Sequence, residues 1–299
     1  MQSMKSKPRI LLIDGENILH QSFHKFQNLK STSGVPSGAI FGFFKSLHYY
    51  LYRFDPDKVI ITFDNGHSPF RVKLNPKYKE HRKDISFDRE SLQKQKRVIL
   101  KLLGILRVTY IYDKHKSTNY EGDDFLARLA LENCKDNYVT IVSSDKDFNQ
   151  LLVNKHIKIY NPRKEQYIMD LNCFSVFGYT PKETVPFLCM VGDTSDDIPG
   201  IKGIGPIKAR RILKEHPDFW EYVETLTDEM KEVLYRNRKL IDLVYFTKKF
   251  KDVCLPIKKY KNKTINESKF KNICIEYSFS SFLTPEFLQP FKKLTKYVK

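Results

Sequence analysis

The chain has 299 residues, 41% of them hydrophobic and 13% aromatic, enough for a sizeable core in one large domain or two moderate ones and too apolar for a disordered protein. Its 52 Lys and Arg against 35 Asp and Glu leave a net charge of +17, which points to a polyanionic partner, nucleic acid first. Five widely spaced cysteines without a CxxC pair fit neither a disulfide framework nor a zinc site and suggest a reducing compartment, and no apolar run approaches the roughly 20 residues of a membrane span.

The opening "MQSMKSKPR" is too short for a leader, so a soluble intracellular protein of cytoplasm or nucleoid is expected, or an organellar one whose presequence has been removed. The first apolar run, "RILLID" (9–14), reads as a buried strand ending in Asp14. "KVIITFD" (58–64) and "YVTIVSSD" (138–145) repeat the pattern and end in Asp64 and Asp145. Such runs, alternating with helical segments, predict an α/β protein with a parallel sheet covered on both faces. Parallel strands place their C-terminal ends at one edge, where open sheets bind ligands. One strand-terminal Asp is often a turn former or cap; three at equivalent places predict a site.

Between the second and third runs lies a polar, basic stretch, 76–119. Within "NPKYKEHRKD" (75–84), Lys79 and Arg82 are three apart and so on one helix face, as candidate phosphate contacts or simply as solvated cations. "YEGDDFLARLAL" (120–131) predicts a helix starting near Glu121, with Phe125, Leu126, Leu129 and Ala130 as its buried face. Further on, Thr180, Pro181 and Glu183 form a capping-box pattern. Asp193 and Asp196 then precede "PGIKGIGPIKARRIL" (199–213). This stretch reads as a helix–hairpin–helix phosphate cradle: Gly200, Gly203 and Gly205 admit close backbone approach, and Lys202, Lys208, Arg210 and Arg211 add charge. It lacks the third glycine of a dinucleotide fingerprint, and Pro206 stands where a P-loop needs Lys. No GxSxG elbow occurs, and the eight histidines show no ligand spacing, His81 and His115 sitting in Lys-rich stretches.

Nine carboxylates thus stand out: Asp14, Asp64, Glu121, Asp123, Asp124, Asp145, Asp147, Asp193 and Asp196. Sharing one cleft, they could not all ionise without cations between them. An all-oxygen set suits Mg2+ or Mn2+, and two such ions about 3.5–4 Å apart are suited to phosphodiester hydrolysis.

In this order, "LLIDGENILHQSFHKF", "SGVPSGAIFGFF", "FDNGHSPFR…YKEHR", "EGDDFLARLA", "VSSDKDFNQLL" and "GDTSDDIPGIKGIGPIKA" resemble the 5′-nuclease family: the N-terminal domain of bacterial DNA polymerase I, phage 5′–3′ exonucleases and flap endonucleases. The resemblance implies a PIN-like catalytic domain over 1–178, with a helical arch at about 76–119, and a mostly helical helix–three-turn–helix domain over 179–299. It implies one Mg2+ or Mn2+ among Asp64, Glu121, Asp123 and Asp124 with Asp14 close by. A second lies among Asp145, Asp147, Asp193 and Asp196, with Asp123 between the two. Lys79 and Arg82 match the arch cations at the scissile phosphate, and together with Asp123 and Asp145 they are the candidate catalytic residues. Tyr78 matches an aromatic that stacks on a base, and the Gly200–Gly205 hairpin matches an element gripping duplex phosphates, often with K+. The implied activity is two-metal hydrolysis at 5′ ends and flap junctions of DNA in replication and repair, on 5′ flaps, overhangs, nicks or RNA primers, by a monomer without a membrane partner. Gln21 stands where the family commonly has Arg, and Asp197 replaces the usual Asn. The loop 111–120 is longer than in polymerase I, and its Lys114 and Lys116 are expected to contact DNA. The alternatives are a non-catalytic DNA-binding relative and a PIN-like RNA nuclease; the filled acidic positions and the hairpin speak against them.

Overall fold

The computed structural model describes residues 7–80, 88–114, 118–260 and 264–294. Arg9–Asp14 (β1) leads into Gly15–Lys25 (α1) and Gly38–Phe54 (α2), followed by Lys58–Phe63 (β2), Pro69–Leu74 (α3), Arg89–Ile105 (α4) and Thr109–Tyr112 (β3). Gly122–Asn133 (α5) crosses to Tyr138–Val142 (β4), and Ile157–Asn161 (β5), Gln166–Ile168 (β6) and Asp170–Phe177 (α6) come next. Thr184–Val191 (α7), the short strands Gly192–Asp193 (β7) and Ile198–Pro199 (β8), and Pro206–Glu215 (α8) form the hairpin region. Phe219–Glu224 (α9), Asp228–Ile241 (α10), Leu243–Lys249 (α11), Ile257–Lys258 (β9), Glu267–Glu276 (α12) and Pro285–Leu294 (α13) complete the described chain.

The main sheet has the order β6-β5-β4-β1-β2-β3-β9, parallel from β5 to β3 with antiparallel edges. Its strands are apolar throughout because both faces are covered. Ile10, Leu12 and Ile60 enter one core with Phe125, Leu126 and Leu129 of α5. Leu11, Ile13, Val59 and Ile61 enter the other with Ile99, Leu102 and Leu103 of α4. Strands β1, β2 and β3 run outward one way and β4 and β5 the other, so the order reverses between β1 and β4. Open α/β sheets bind ligands at that reversal.

The strand expected over 138–145 ends at Val142, because Asp145 caps a 3-10 turn, Lys146–Val153, by accepting from its Asp147 N–H. The capping box at Thr180 and Glu183 is present, but it opens the 3-10 turn Pro181–Glu183 that precedes α7. The arch expected over 76–119 is too broad: α4 and β3 belong to the core and the sheet, and residues 81–87 lie outside the described residues. The first core takes residues from both sides of residue 178. β9 pairs with β3, and α12 and α13 share the second core with α2 and α4. All five cysteines are free thiols, and no described helix is long and apolar enough to cross a membrane.

Candidate active site

A cavity of about 670 Å³ opens at the C-terminal edge of the sheet over the β1–β4 reversal, lined by Asp14, Asp64, Asp123 and Asp145 among others. Asp14 ends β1 and caps α1 through Asn17 N–H (2.9 Å), while its other oxygen accepts from Ser143 Oγ (2.8 Å), joining β1 to the end of β4. Asp64, just past β2, accepts from Gly122 N–H at the start of α5. A Cβ on Gly122 would press on that same carboxylate, so the close approach needs glycine there. Asp123 follows in the first turn of α5.

These carboxylates titrate high. Burial and the neighbouring Asp64 and Asp145 push Asp14 up to about 7. Burial and Glu121 push Asp64 up to about 6 against the opposing charge of Lys79. Burial lifts Asp123 well above the usual carboxylate range, with Asp14, Asp145 and Asp64 adding repulsion. Asp145 and Asp147 are raised by burial and by repulsion that includes Asp193 and Asp196. Asp147 also keeps a buried oxygen, Oδ1, without a hydrogen-bond partner. Two overlapping groups emerge, Asp14–Asp64–Asp123–Asp145 and Asp145–Asp147–Asp193–Asp196.

The remaining carboxylates bring their own cations. Asp124, fully buried, receives both Arg71 guanidinium nitrogens (2.6 and 2.7 Å) and the Glu121 N–H. Its oxygens are committed to that bidentate pair, which corrects the expectation that Asp124 holds a metal. Glu121 accepts from Lys79 Nζ (2.6 Å), Tyr78 Oη (3.1 Å) and Ser68 N–H (2.7 Å). Burial alone would raise it, but the charges of Lys79 and Arg71 prevail and hold it at about 2. Asp193 lies 3.1 Å from Lys146 and accepts from Ser195; despite burial, these partners keep it below its usual value. Glu16 pairs with the buried Lys96 (2.6 Å) at the cavity wall. Among the described residues, no three acidic, His or Cys side chains are drawn together into an ion-binding group as they stand.

Two further expectations change. Tyr78 is buried in the core with its hydroxyl on Glu121 and Asp196, so its ring is not presented to a base. Lys79 does not lie on a helix; it occupies a turn at φ 57, tied by its N–H to Asp196 O (3.0 Å), and is one of the residues lining the cavity. A lysine in the left-handed region is uncommon and persists where its surroundings hold it. Arg82 and Lys116 lie outside the described residues. Lys114 is exposed, and its carbonyl accepts from Asn65, a cavity residue. Gln21 bonds Asn17 and Ser144 beside the cavity, and Asp197 holds a left-handed turn (φ 53) whose carbonyl accepts from Asn75.

In the hairpin, Gly200 packs so closely on the Val191 backbone that a Cβ would collide, and Gly203 has φ 80. Gly205 caps α8 in extended geometry without needing to be glycine. Lys202, Lys208, Arg210 and Arg211 are all exposed; Arg210 also donates to Phe177 O (3.0 Å) and packs on Gly178. The sequence reading missed the basic wall of the cavity: His20, His24, His67, Arg89 and Arg163. The signal was available for two of them, since His20 and His24 are four apart on α1, directly after Asp14, and their rings stack.

A parallel sheet with an acidic crevice at its reversal, followed by a helical hairpin region, is the architecture of the PIN-like nucleases. Residues 9–178 match the family model described as 5′-3′ exonuclease, N-terminal resolvase-like domain, and the chain belongs to that family. It is 32% identical over 246 residues to the 5′-3′ exonuclease of Buchnera aphidicola, covering 81% of this chain and 82% of that protein. It is 34% identical over 222 residues to the thermostable DNA polymerase I of Thermus aquaticus, covering 74% of this chain. It spans about a quarter of the length of the polymerase relatives. The bacteriophage T5 flap endonuclease, solved with DNA and metal ions, shares the fold with a TM-score of 0.64 at 16% identity, over 96% of this chain and 99% of that one.

Proposed function

We propose that the chain is a divalent-metal-dependent 5′ nuclease, hydrolysing phosphodiester bonds at 5′ ends and flap junctions of DNA. The carrying observation is the charge imbalance: at the sheet reversal the buried Asp14 and the half-buried Asp64, Asp123, Asp145 and Asp147 form no ion pair among the described residues, while Glu121, Asp124, Asp193 and Glu16 around them do. The oxygen-only donor set and the orphaned Asp147 oxygen fit Mg2+ or Mn2+. Asp14, Asp64, Asp123 and Asp145 would hold one ion, and Asp145, Asp147, Asp193 and Asp196 a second. Bound there, such ions supply Lewis-acid polarisation of a phosphodiester and a lowered water pKa.

The protein's own contribution is placement. Lys79 keeps Glu121 ionised and lines the cavity, where phosphate charge develops. The histidines and arginines of the other wall would receive the flanking phosphates, with His20 aligned by Glu16 at 3.6 Å. Lys202, Lys208 and Arg211 would grip the duplex arm, and Lys114 a strand at the rim. A 5′-labelled flap duplex tests the reading. Wild type should cut near the junction with Mg2+ and not with EDTA. Asp145→Asn should still bind the flap but cut at least a thousandfold more slowly. Cutting by this variant at the wild-type rate, or by the wild type in EDTA, would defeat the proposal.

A further inference from the structure

Away from the cavity, at the other end of α4, lies a groove of about 350 Å³ lined by Lys101, Arg107, Tyr110, Lys258, Tyr260 and Lys269 with no carboxylate among its walls. Pairing of β9 with β3 sets Lys258 opposite Tyr110. The Arg107 guanidinium lies 5.3 Å from the Tyr260 ring centre, and its Nε donates to Thr264 O (3.2 Å), fixing a flat cationic platform. Beneath it Gly104 leaves the space that Tyr260 Oη fills; a Cβ there would come within 3.2 Å. Positive charge is crowded around the groove: burial and the neighbouring Lys259 hold Lys58 below its usual value.

α4 connects the two places. Arg89 and Gln93 line the catalytic cavity, and Arg97 and Lys101 continue the same i, i+4 row, both exposed. Lys94, on the adjacent row, is paired with Glu90 (2.7 Å), whereas Arg97 and Lys101 form no ion pair among the described residues. From Arg89 to Lys101 the row advances twelve residues at about 1.5 Å each, about 18 Å from cavity to groove.

We propose that this row and groove form a track for the single-stranded 5′ segment of the substrate, running from the cavity past Arg97 and Lys101 to the Arg107–Tyr260 platform. A line one cation wide matches one phosphate chain, and an aromatic–guanidinium face at its end suits an unstacked base. A duplex would bring two phosphate rows and no free base face. The track rests on the nuclease reading of the cavity, and its test separates the two.

Binding is measured in EDTA, so that no strand is cut, with two-nucleotide and fifteen-nucleotide 5′ flaps on one duplex. Wild type should bind the long flap about tenfold more tightly. Combined Arg97→Gln, Lys101→Gln and Lys258→Gln should remove that advantage and make the salt slope shallower by about 2. Short-flap affinity, and short-flap cleavage in Mg2+, should stay at wild-type values. Tyr260→Ala should weaken long-flap binding about fivefold with the slope unchanged. Equal wild-type affinity for both flaps, or a triple variant that keeps the long-flap advantage or loses both flaps alike, overturns the track. If the wild type cuts neither flap in Mg2+, it is the nuclease reading that fails, while the EDTA measurement still decides the track.

Discussion

Glu121 and Asp123 are two residues apart at the start of one helix, yet they belong to opposite electrostatic regimes. Glu121 faces Lys79, Tyr78 and the Ser68 amide and is held at about 2. Asp123 faces Asp14, Asp64 and Asp145 and is pushed well above its usual range. The same division runs through the whole edge of the sheet. An outer shell of acids is neutralised by Arg71, Lys79, Lys96 and Lys146, and an inner set is left in mutual repulsion. A buried acid with its own cation is scaffold; one without is a demand for a cation from outside.

The comparison breaks most visibly if the outer shell is broken. Arg71→Ala would leave Asp124 buried without a counter-cation and the Leu240 carbonyl without the Arg71 donor, and should lower unfolding free energy by about 3–5 kcal/mol in a urea titration. A loss under about 1 kcal/mol would mean that the pair is not structural. Next in size, Lys79→Met should reduce flap-cleavage turnover by about two orders of magnitude with little change in substrate affinity, since its ammonium acts on developing charge. A parallel loss of affinity would make it an anchor instead. The smallest effect concerns pH. Asp14 and Asp64 hold protons more tightly in the folded protein than in the unfolded chain, so between about pH 4 and 7 they weaken the ion-free protein as pH rises. Divalent ions displace those protons, and the Tm gain on adding Mg2+ should therefore grow from pH 5 to about 7 and level off above. Glu121 does not contribute to this trend, because its depressed value leaves it ionised throughout that window. A gain independent of pH would remove Asp14 and Asp64 from the ion site.

Much of the architecture was legible beforehand. The three apolar runs ending near an aspartate became β1, β2 and β4, because uninterrupted β-branched segments are stable only with both faces covered. The helix opening at Glu121 starts where its acidic first turn and apolar spacing place it. The return of β9, α12 and α13 onto the first half of the chain was not legible, since a two-residue strand has no periodicity and the pairing spans more than a hundred residues. At Lys79 the spacing of three suggests a helix face, but the backbone there is left-handed and bonded to Asp196, far away in sequence.

What the sequence determined by itself is the chemical inventory and the family: strand-end carboxylates, a glycine hairpin, a surplus of positive charge and six blocks in a recognisable order. What only the tertiary structure decided is which carboxylate meets which cation. Asp123 and Asp124 are indistinguishable as letters, but successive helical residues point about 100° apart. That rotation turns Asp124 into the core against Arg71 and Asp123 toward the cavity.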